Sequence, residues 1–221
     1  ACLKRKCYLA LGRELFFPNF YIVLVGPPAA RKGTAMKPAI ELLDSLGIVK
    51  AADESSRQKL ITRLKMCYTA EGDPNDRAGM FFHSSMTIIS TELTVFLGYG
   101  NLELITTLCK WFDCESTFVY DTISRGEDSV TNVWVNLLGA TTPTALKSSL
   151  PLDAIGGGFT SRTIFVYEEN KAKVVIYPQE KEDLRLKLLN DLEEISMIRG
   201  RFVMADGFMD SYAYFRHLTE A

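Results

Sequence analysis

The chain of 221 residues is long enough for one sizeable α/β domain with a small helical appendage. Its hydrophobic content of 47% and charged content of 24% are typical of a packed globular protein. Its formal net charge of −2 excludes binding of nucleic acid through a global basic field and leaves room only for a local basic patch. Apolar runs all fall short of a membrane span, so we expect no membrane partner.

The five cysteines are odd in number and scattered along the chain. A secreted disulfide framework normally has an even, closely organised set. We therefore expect free thiols and a reducing, cytoplasmic location. The first residue is Ala rather than Met, which predicts a fragment of a longer protein.

Three segments are predicted in chain order. Residues 1–17 carry apolar groups at helical spacing and predict an amphipathic lead-in helix. Residues 18–177 alternate buried-strand and helical patterns and predict the core domain, while residues 178–221 are mostly helical by pattern. Alternating strands and helices favour a largely parallel sheet that is covered by helices on both faces.

The first predicted strand, Phe20 to Val25, is a continuous apolar run of the kind that is buried on both faces. A turn that begins with glycine follows this strand, and a helix is predicted after it from Thr34 to Leu46. The turn consists of Gly26, Pro27, Pro28, Ala29, Ala30, Arg31, Lys32, Gly33 and Thr34. Phosphate binding needs inward N–H groups, a helix N-terminus and a lysine. The sequence therefore predicts an ATP-Mg²⁺ site in which this loop and Lys32 hold phosphates and Thr34 binds the metal.

The turn departs from the standard phosphate-loop pattern G-x-x-x-x-G-K-[ST]. Arg31 occupies the position of the second glycine, and Gly33 occupies the position of the magnesium-binding hydroxyl. Thr34 supplies a hydroxyl one residue later. An ordinary connection between a strand and a helix is the alternative interpretation.

A second apolar run, Met86 to Ile89, leads to Glu92. An ATPase with a phosphate loop also needs an acidic group at the end of a neighbouring strand. We predict that Glu92 is this group and acts as the general base that activates water. Thr91 stands where a companion aspartate is usual. The alternatives are that Glu92 is simply a carboxylate favoured by a helix N-terminus, or that Asp53-Glu54 is the acidic pair.

Two later strand boundaries carry further candidates. Thr142 ends the third buried strand, which starts at Val133, and is predicted to sense the γ-phosphate, although threonine is also a common turn residue. Arg162 precedes the predicted strand 163–167, and an arginine there would stabilise transition-state charge on the ATP of an adjacent subunit. A surface arginine that caps a helix is its alternative. Residues 118–123 and 130–135 predict a hairpin.

These motifs together resemble the helicase-like P-loop ATPases of phages, prophages and plasmids, which are often attached to primase domains and are grouped as an uncharacterised family of replication proteins. The resemblance spans nearly the whole chain and rests on five segments, residues 18–21, 26–34, 89–93, 139–143 and 158–162. It implies an AAA+-like parallel sheet flanked by helices, similar to superfamily-3 helicases, with a C-terminal helical segment. A RecA-like core is the alternative fold.

The resemblance also implies an activity, namely an ATP-driven DNA helicase or translocase that acts in replication of a phage or other mobile element. Such a motor is a homo-oligomeric ring, here expected to be a hexamer, on single-stranded or forked DNA. In superfamily-3 helicases the hairpin projects into the channel, so Arg125 near the hairpin tip is expected to contact DNA; one cation per subunit suffices without a basic chain. A solvated turn is the alternative for Arg125. An ATP-binding switch or loader without unwinding activity and an AAA+ protein remodeller also stay open.

Overall fold

The computed structural model describes residues 1–51, 56–72, 80–122, 126–151, 156–169 and 181–219. The described residues form strands β1 Cys7–Leu11, β2 Glu14–Phe16, β3 Tyr21–Val25, β4 Tyr68–Glu71, β5 Phe81–Ser90, β6 Thr117–Thr122, β7 Gly126–Thr131, β8 Val133–Thr141, β9 Thr163–Tyr167 and β10 Gly200–Arg201. The helices are α1 Lys32–Ser45, α2 Arg57–Met66, α3 Leu93–Leu97, α4 Leu102–Phe112, α5 Pro143–Ser149, α6 Glu182–Met197 and α7 Phe208–Thr219.

The central sheet has five strands in the order β4-β5-β8-β3-β9. Strand β3 pairs in parallel with both β8 and β9, and β5 pairs in parallel with β8, whereas β4 is antiparallel to β5. Val25 pairs with Thr141 and Tyr167, and Ser90 pairs with Gly139. The carboxyl ends of β3, β5 and β8 therefore meet at one edge, which we call the carboxyl edge. The predicted α/β class with a largely parallel sheet is confirmed.

Helices cover both faces of this sheet because alternate residues of each strand point to opposite sides. On one face, Val23 lies in the larger hydrophobic cluster with Leu108 and Trp111 of α4. On the other face, Leu24 packs against a smaller cluster that contains Met36 of α1. Helix α1 begins at Lys32, two residues earlier than the sequence predicts.

The prediction of a lead-in helix over residues 1–17 is wrong. Residues 4–6 form a short 3₁₀ turn, and β1 and β2 then form an antiparallel hairpin. Gly12 has φ +62° at the first position of the two-residue loop, a geometry that suits a tight hairpin turn. Strand β1 also pairs in parallel with β10, where Cys7 opposes Gly200. This distant pairing explains why the apolar spacing of the segment was misleading.

A hairpin is present as β6 and β7, which pair from Thr117–Thr131 to Thr122–Gly126, but its second strand begins four residues earlier than predicted, and residues 133–135 belong to β8. Phe118 and Val130 are buried at its base, where Phe118 meets the ring of Trp111 edge to face. The β7 end of the hairpin leads directly into β8, so the hairpin leaves the sheet at the edge opposite the carboxyl edge, which we call the amino edge. Arg125 lies outside the described residues.

The C-terminal segment contains α6 and α7, with the short strand β10 between them. Most of its described apolar side chains are exposed, including those of Met197, Val203 and Phe215. Among the described residues, no helix combines the length and apolar character needed to cross a bilayer.

Candidate functional site

The loop after β3 places a helix N-terminus at the carboxyl edge. Ala29 and Arg31 adopt left-handed conformations, with φ +62° and +59°, and α1 begins at Lys32 with no acidic residue in its first turn. The first N–H groups of a helix have no acceptor within the helix and carry partial positive charge. The backbone of Lys32, Gly33 and Thr34 therefore offers donors to an anion.

Gly26 is required where β3 enters this loop. A Cβ atom at this position would lie 2.8 Å from the carbonyl oxygen of Glu168, so only glycine fits against the segment that follows β9. The N–H of Gly26 donates to the carbonyl oxygen of Thr141 at 3.3 Å. The beginning of the loop is thus held against both neighbouring strands.

The ammonium group of Lys32 lies over the same loop. Its Nζ donates to the carbonyl oxygens of Gly26 and Pro27, at 2.9 and 3.0 Å. The Lys32 side chain therefore already points to the loop in which it is predicted to bind phosphate. Pro27 and Pro28 have no N–H, so the loop has fewer backbone donors than its length allows.

The two departures from the phosphate-loop pattern have different structural consequences. Arg31 takes the left-handed backbone conformation that favours glycine, at a cost of about 1 kcal/mol. Gly33 has no neighbour within 4 Å of where a Cβ would lie, and Thr34 is exposed on the first turn of α1. The Thr34 hydroxyl is therefore accessible to a solvated metal ion.

Glu92 lies at the same edge, immediately before α3. Its Oε1 accepts from Thr94 Oγ1 at 3.3 Å, and Thr94 Oγ1 lies 3.4 Å from Thr141 Oγ1 at the end of β8. Because Thr141 also accepts from Gly26, a continuous series of contacts joins Glu92 to the loop that holds Lys32. We call this series the edge path. Three residues that are distant in sequence thereby meet at one end of the sheet.

A shallow cavity of about 250 Å³ opens beside this path. It is lined by Glu92, Thr94, Val95, Tyr99 and Ala145. The exposed Glu92 carboxylate therefore faces a space that admits water and a small group.

Thr142, the predicted sensor, lies at the start of α5. Its Oγ1 accepts from the N–H of Ala145 at 3.2 Å, which makes it the N-cap of α5, with Pro143 in the first helical position. The hydroxyl on the edge path belongs to Thr141 instead. In the sequence, Thr141 directly precedes Thr142 at the end of the same predicted strand, whereas Thr94 had no comparable signal.

Arg162 lies at the amino edge, far from the loop. Its guanidinium makes a bidentate pair with Asp113, with Nε–Oδ1 and Nη2–Oδ2 distances of 2.8 Å, and Nη1 donates to the carbonyl of Gly158. The hydrogen bonds to Asp113 raise the pKa of Arg162. Six residues of strand separate the levels of Arg162 and Gly26, or roughly 20 Å. Arg162 therefore cannot reach the loop of its own chain.

A second polar cluster involves the buried His83. Its Nδ1 lies 2.8 Å from Ser85 Oγ, and its Nε2 lies 3.7 Å from Glu71 Oε1. Burial lowers the pKa of His83 to about 4, so the ring is neutral near pH 7. The cavity beside Ser85 has a volume of about 40 Å³, which leaves no room for the substrate of a serine hydrolase. The cluster is a structural feature of the core.

All five cysteines are free, as expected, and burial raises the pKa of Cys114 to about 12. Within the described ranges, no three His, Cys, Asp or Glu side chains come together as a metal site. The competing acidic pair Asp53-Glu54 lies outside those ranges.

No protein-family model matches this chain, and no curated protein matches it either. The interpretation of the site therefore depends on the residues themselves and on the geometry of the carboxyl edge.

Proposed function

We propose that the chain is the ATP-binding core of a P-loop ATPase with an AAA+-like sheet. The observation that carries the proposal is the edge path, which joins the Lys32 loop, Thr141 and Glu92 through contacts of 2.9 to 3.4 Å. The strand order supports it, because β8 separates the loop strand from the strand that leads to Glu92. Ligands of parallel α/β sheets bind at this end of the strands.

The phosphates of ATP would bind at the start of α1. The N–H groups of Lys32, Gly33 and Thr34 lie at the positive end of the helix dipole. The Lys32 ammonium would exchange its two carbonyl acceptors for phosphate oxygens, which are stronger acceptors because they are charged. The residues therefore fit the triphosphate, and Arg31 adds a further exposed cation beside it.

The residues also fit Mg²⁺. This ion keeps several waters and normally takes only one or two protein oxygens in addition to phosphate oxygens. The exposed hydroxyl of Thr34 supplies one such oxygen, so a three-carboxylate cluster is not required. When bound, the metal neutralises charge on the β- and γ-phosphates.

Glu92 would act as the general base. Its carboxylate accepts a proton from water as the water oxygen bonds to the γ-phosphorus and the bond to the bridging oxygen breaks, yielding ADP and phosphate. The Thr94 hydroxyl fixes one carboxylate oxygen and leaves the other for water. Thr141 contacts both Thr94 and Gly26, and so links this pair to the loop.

The action on DNA is proposed from the resemblance together with the position of the amino edge. Both Arg162 and the β6–β7 hairpin lie there, away from the loop of their own chain. In a ring, Arg162 would leave Asp113 and contact the ATP of the neighbouring subunit. We place this motor, as a hexameric DNA helicase or translocase, on single-stranded or forked DNA during replication of a mobile element, with a primase as a domain or partner.

A second candidate is an ATP-dependent switch or loader that assembles on DNA without unwinding it. Two observations favour slow turnover: Thr91 replaces the companion aspartate, and Pro27 and Pro28 remove two backbone donors from the loop. Tight ATP binding with negligible hydrolysis, with or without DNA, would favour this candidate over the motor.

The test is ATP hydrolysis by the chain with and without single-stranded DNA, read beside its oligomeric mass. We expect Lys32→Ala to lose ATP binding, and Glu92→Gln to keep binding but lose turnover by about 10²- to 10⁴-fold. The matched controls are Lys37→Ala and Glu41→Gln, which remove the same charges from exposed positions of α1. Unchanged DNA-stimulated hydrolysis in both site variants would place the site elsewhere.

A further inference from the structure

A cavity of about 510 Å³ lies at the amino edge, beside the β1–β2 hairpin. Its lining combines cationic and aromatic side chains, those of Arg5, Lys6, Arg199, Tyr8, Phe17 and Phe81. The volume lies within the range of small-molecule sites, about 300–1,000 Å³. The phosphate-binding loop contributes nothing to this lining.

The charge of the cavity is positive. Glu71 is the carboxylate in its lining, and Lys4 Nζ already pairs with Glu71 Oε1 at 3.1 Å. Burial lowers the pKa of the Lys6 ammonium; among the nearby charges Glu71 raises it most, and those of Lys4 and Arg199 lower it. An anion in the cavity would relieve this crowding of cations.

The cations have different freedom to bind a ligand. Arg5 donates to the carbonyl oxygens of Val133 and Glu115, at 2.6 and 3.1 Å, and Lys6 donates to the carbonyl of Ser196. Arg199 is exposed and makes no hydrogen bond or ion pair with the part of the chain that the structure describes. Arg199 is therefore the cation best able to contact a phosphate.

The aromatic side chains are held in place by the same framework. The Arg5 guanidinium lies 4.4 Å from the centroid of the Phe17 ring, and the Tyr8 ring packs against Phe17 with centroids 6.5 Å apart. All three aromatic rings of the lining are only partly buried, so part of each ring remains open to a ligand.

The cavity also lies at the foot of the β6–β7 hairpin. Asn132, which links β7 to β8, contributes to its lining, and Arg5 reaches the first residue of β8. A strand that contacts the hairpin would therefore pass close to the cavity. The phosphate loop lies at the opposite end of the same sheet.

We propose that this cavity binds one nucleotide of a single-stranded nucleic acid, with the base against Tyr8, Phe17 or Phe81 and the phosphate at Arg199. Aromatic faces beside cations are the combination that single strands recognise without sequence preference. The inference deepens the proposed function, since it names where the strand is held, and it does not depend on ATP hydrolysis.

The test is fluorescence anisotropy of a fluorescein-labelled oligo-dT with the full chain, without ATP and over a range of salt. We expect Arg199→Ala and Tyr8→Leu each to weaken binding by about tenfold, and Arg199→Ala to reduce the salt slope by about 0.7. Arg13→Ala is the control, because it removes the same charge from the β1–β2 turn outside the cavity. Since Arg199 is exposed, its variant should fold even if Tyr8→Leu does not.

Wild-type affinity in Arg199→Ala, or an equal loss in Arg13→Ala, would overturn the proposal. So would free dTMP that binds as tightly as the oligonucleotide, because the cavity would then be a mononucleotide site. Lys32→Ala should leave oligonucleotide binding intact, and Arg199→Ala should leave basal ATP hydrolysis intact. Loss of the cavity function and failure of the proposed ATPase are thus separate results.

Discussion

The two edges of the central sheet differ in how their polar groups are held. At the carboxyl edge, Glu92 and Thr34 are exposed, and their neighbours leave donors and a carboxylate open to solvent. At the amino edge, Arg162 and Arg5 are occupied by specific partners, Asp113 and the carbonyl of Val133. An exposed polar group exchanges only water for a ligand, whereas a paired group must first give up its partner.

The two edges also differ in how far apart in the sequence their interacting residues are. The carboxyl-edge loop is built from consecutive residues that follow one strand, so its motif is visible in the sequence. The amino-edge contacts join residues far apart in the chain, such as Arg5 and Val133. The carboxyl-edge loop is therefore a local feature of the sequence, whereas the amino-edge contacts depend on the fold of the whole chain.

Substitution of Arg162 has the largest expected effect, because this residue lies at the amino edge and yet would act on ATP. If it acts on the ATP of a neighbouring subunit, Arg162→Ala should lower turnover by about 10³-fold, as loss of an arginine finger does. Asp113→Asn removes the partner but keeps the arginine, and should cost only about 1 kcal/mol of stability because the pair is partly exposed. Steady-state ATPase assays measure the turnover of both variants, and urea unfolding measures their stability. Equal effects of the two substitutions would assign Arg162 a purely structural role.

The buried ring of His83 makes the stability of the fold depend on pH. The unfolded chain binds a proton on His83 below about pH 6.5, but the folded chain does so only near pH 4, because the ring is buried. Stability is thus fully present above pH 6.5 and falls by about 3 kcal/mol as the pH drops towards 4. Urea unfolding at several pH values measures it. His83→Gln does not titrate, so this part of the pH dependence should disappear; an unchanged slope would assign the effect to other groups.

Thr141 and Thr142 are adjacent at the end of β8, but their hydroxyls have different partners. Thr142→Ala removes the N-cap of α5 and should lower the free energy of unfolding by about 1 kcal/mol, with turnover unchanged. Thr141→Val keeps the shape but removes the hydroxyl on the edge path, and should reduce turnover. Thermal unfolding and ATPase assays on both variants separate these roles. A turnover defect confined to Thr142→Ala would instead support Thr142 as the sensor of the γ-phosphate.

Arg31 gives the smallest expected effect. Arg31→Gly relieves the left-handed strain at the N-cap of α1, which favours the folded state by at most about 1 kcal/mol. It also brings the loop closer to the standard pattern, so ATP affinity should be retained. Isothermal titration with ATP and thermal unfolding measure both quantities. A large loss of affinity would mean that the Arg31 side chain itself contacts the nucleotide.

The sequence by itself was sufficient for the elements whose signals are local. The buried run before Gly26, the glycine itself, Lys32 and the hairpin of β6 and β7 follow from spacing over fewer than twenty residues. Glu92 could also be placed at a strand end, because β5 is a continuous buried run. Parallel pairing then brings such strand ends to one edge as a matter of geometry.

The features that depend on residues distant in sequence were visible only in the tertiary structure. Residues 7–11 form a strand that pairs with β2 from Leu9 to Leu11 and with β10 at Cys7, although their apolar spacing also suits a helix. Thr141 Oγ1 lies beside Thr94 Oγ1 while Thr142 Oγ1 caps α5, and these different partners are visible only in the folded chain. Arg162 faces Asp113, and Arg199 reaches the amino-edge cavity, only after the chain has folded. Such contacts have no local pattern, since their partners are set by strand pairing across the whole chain.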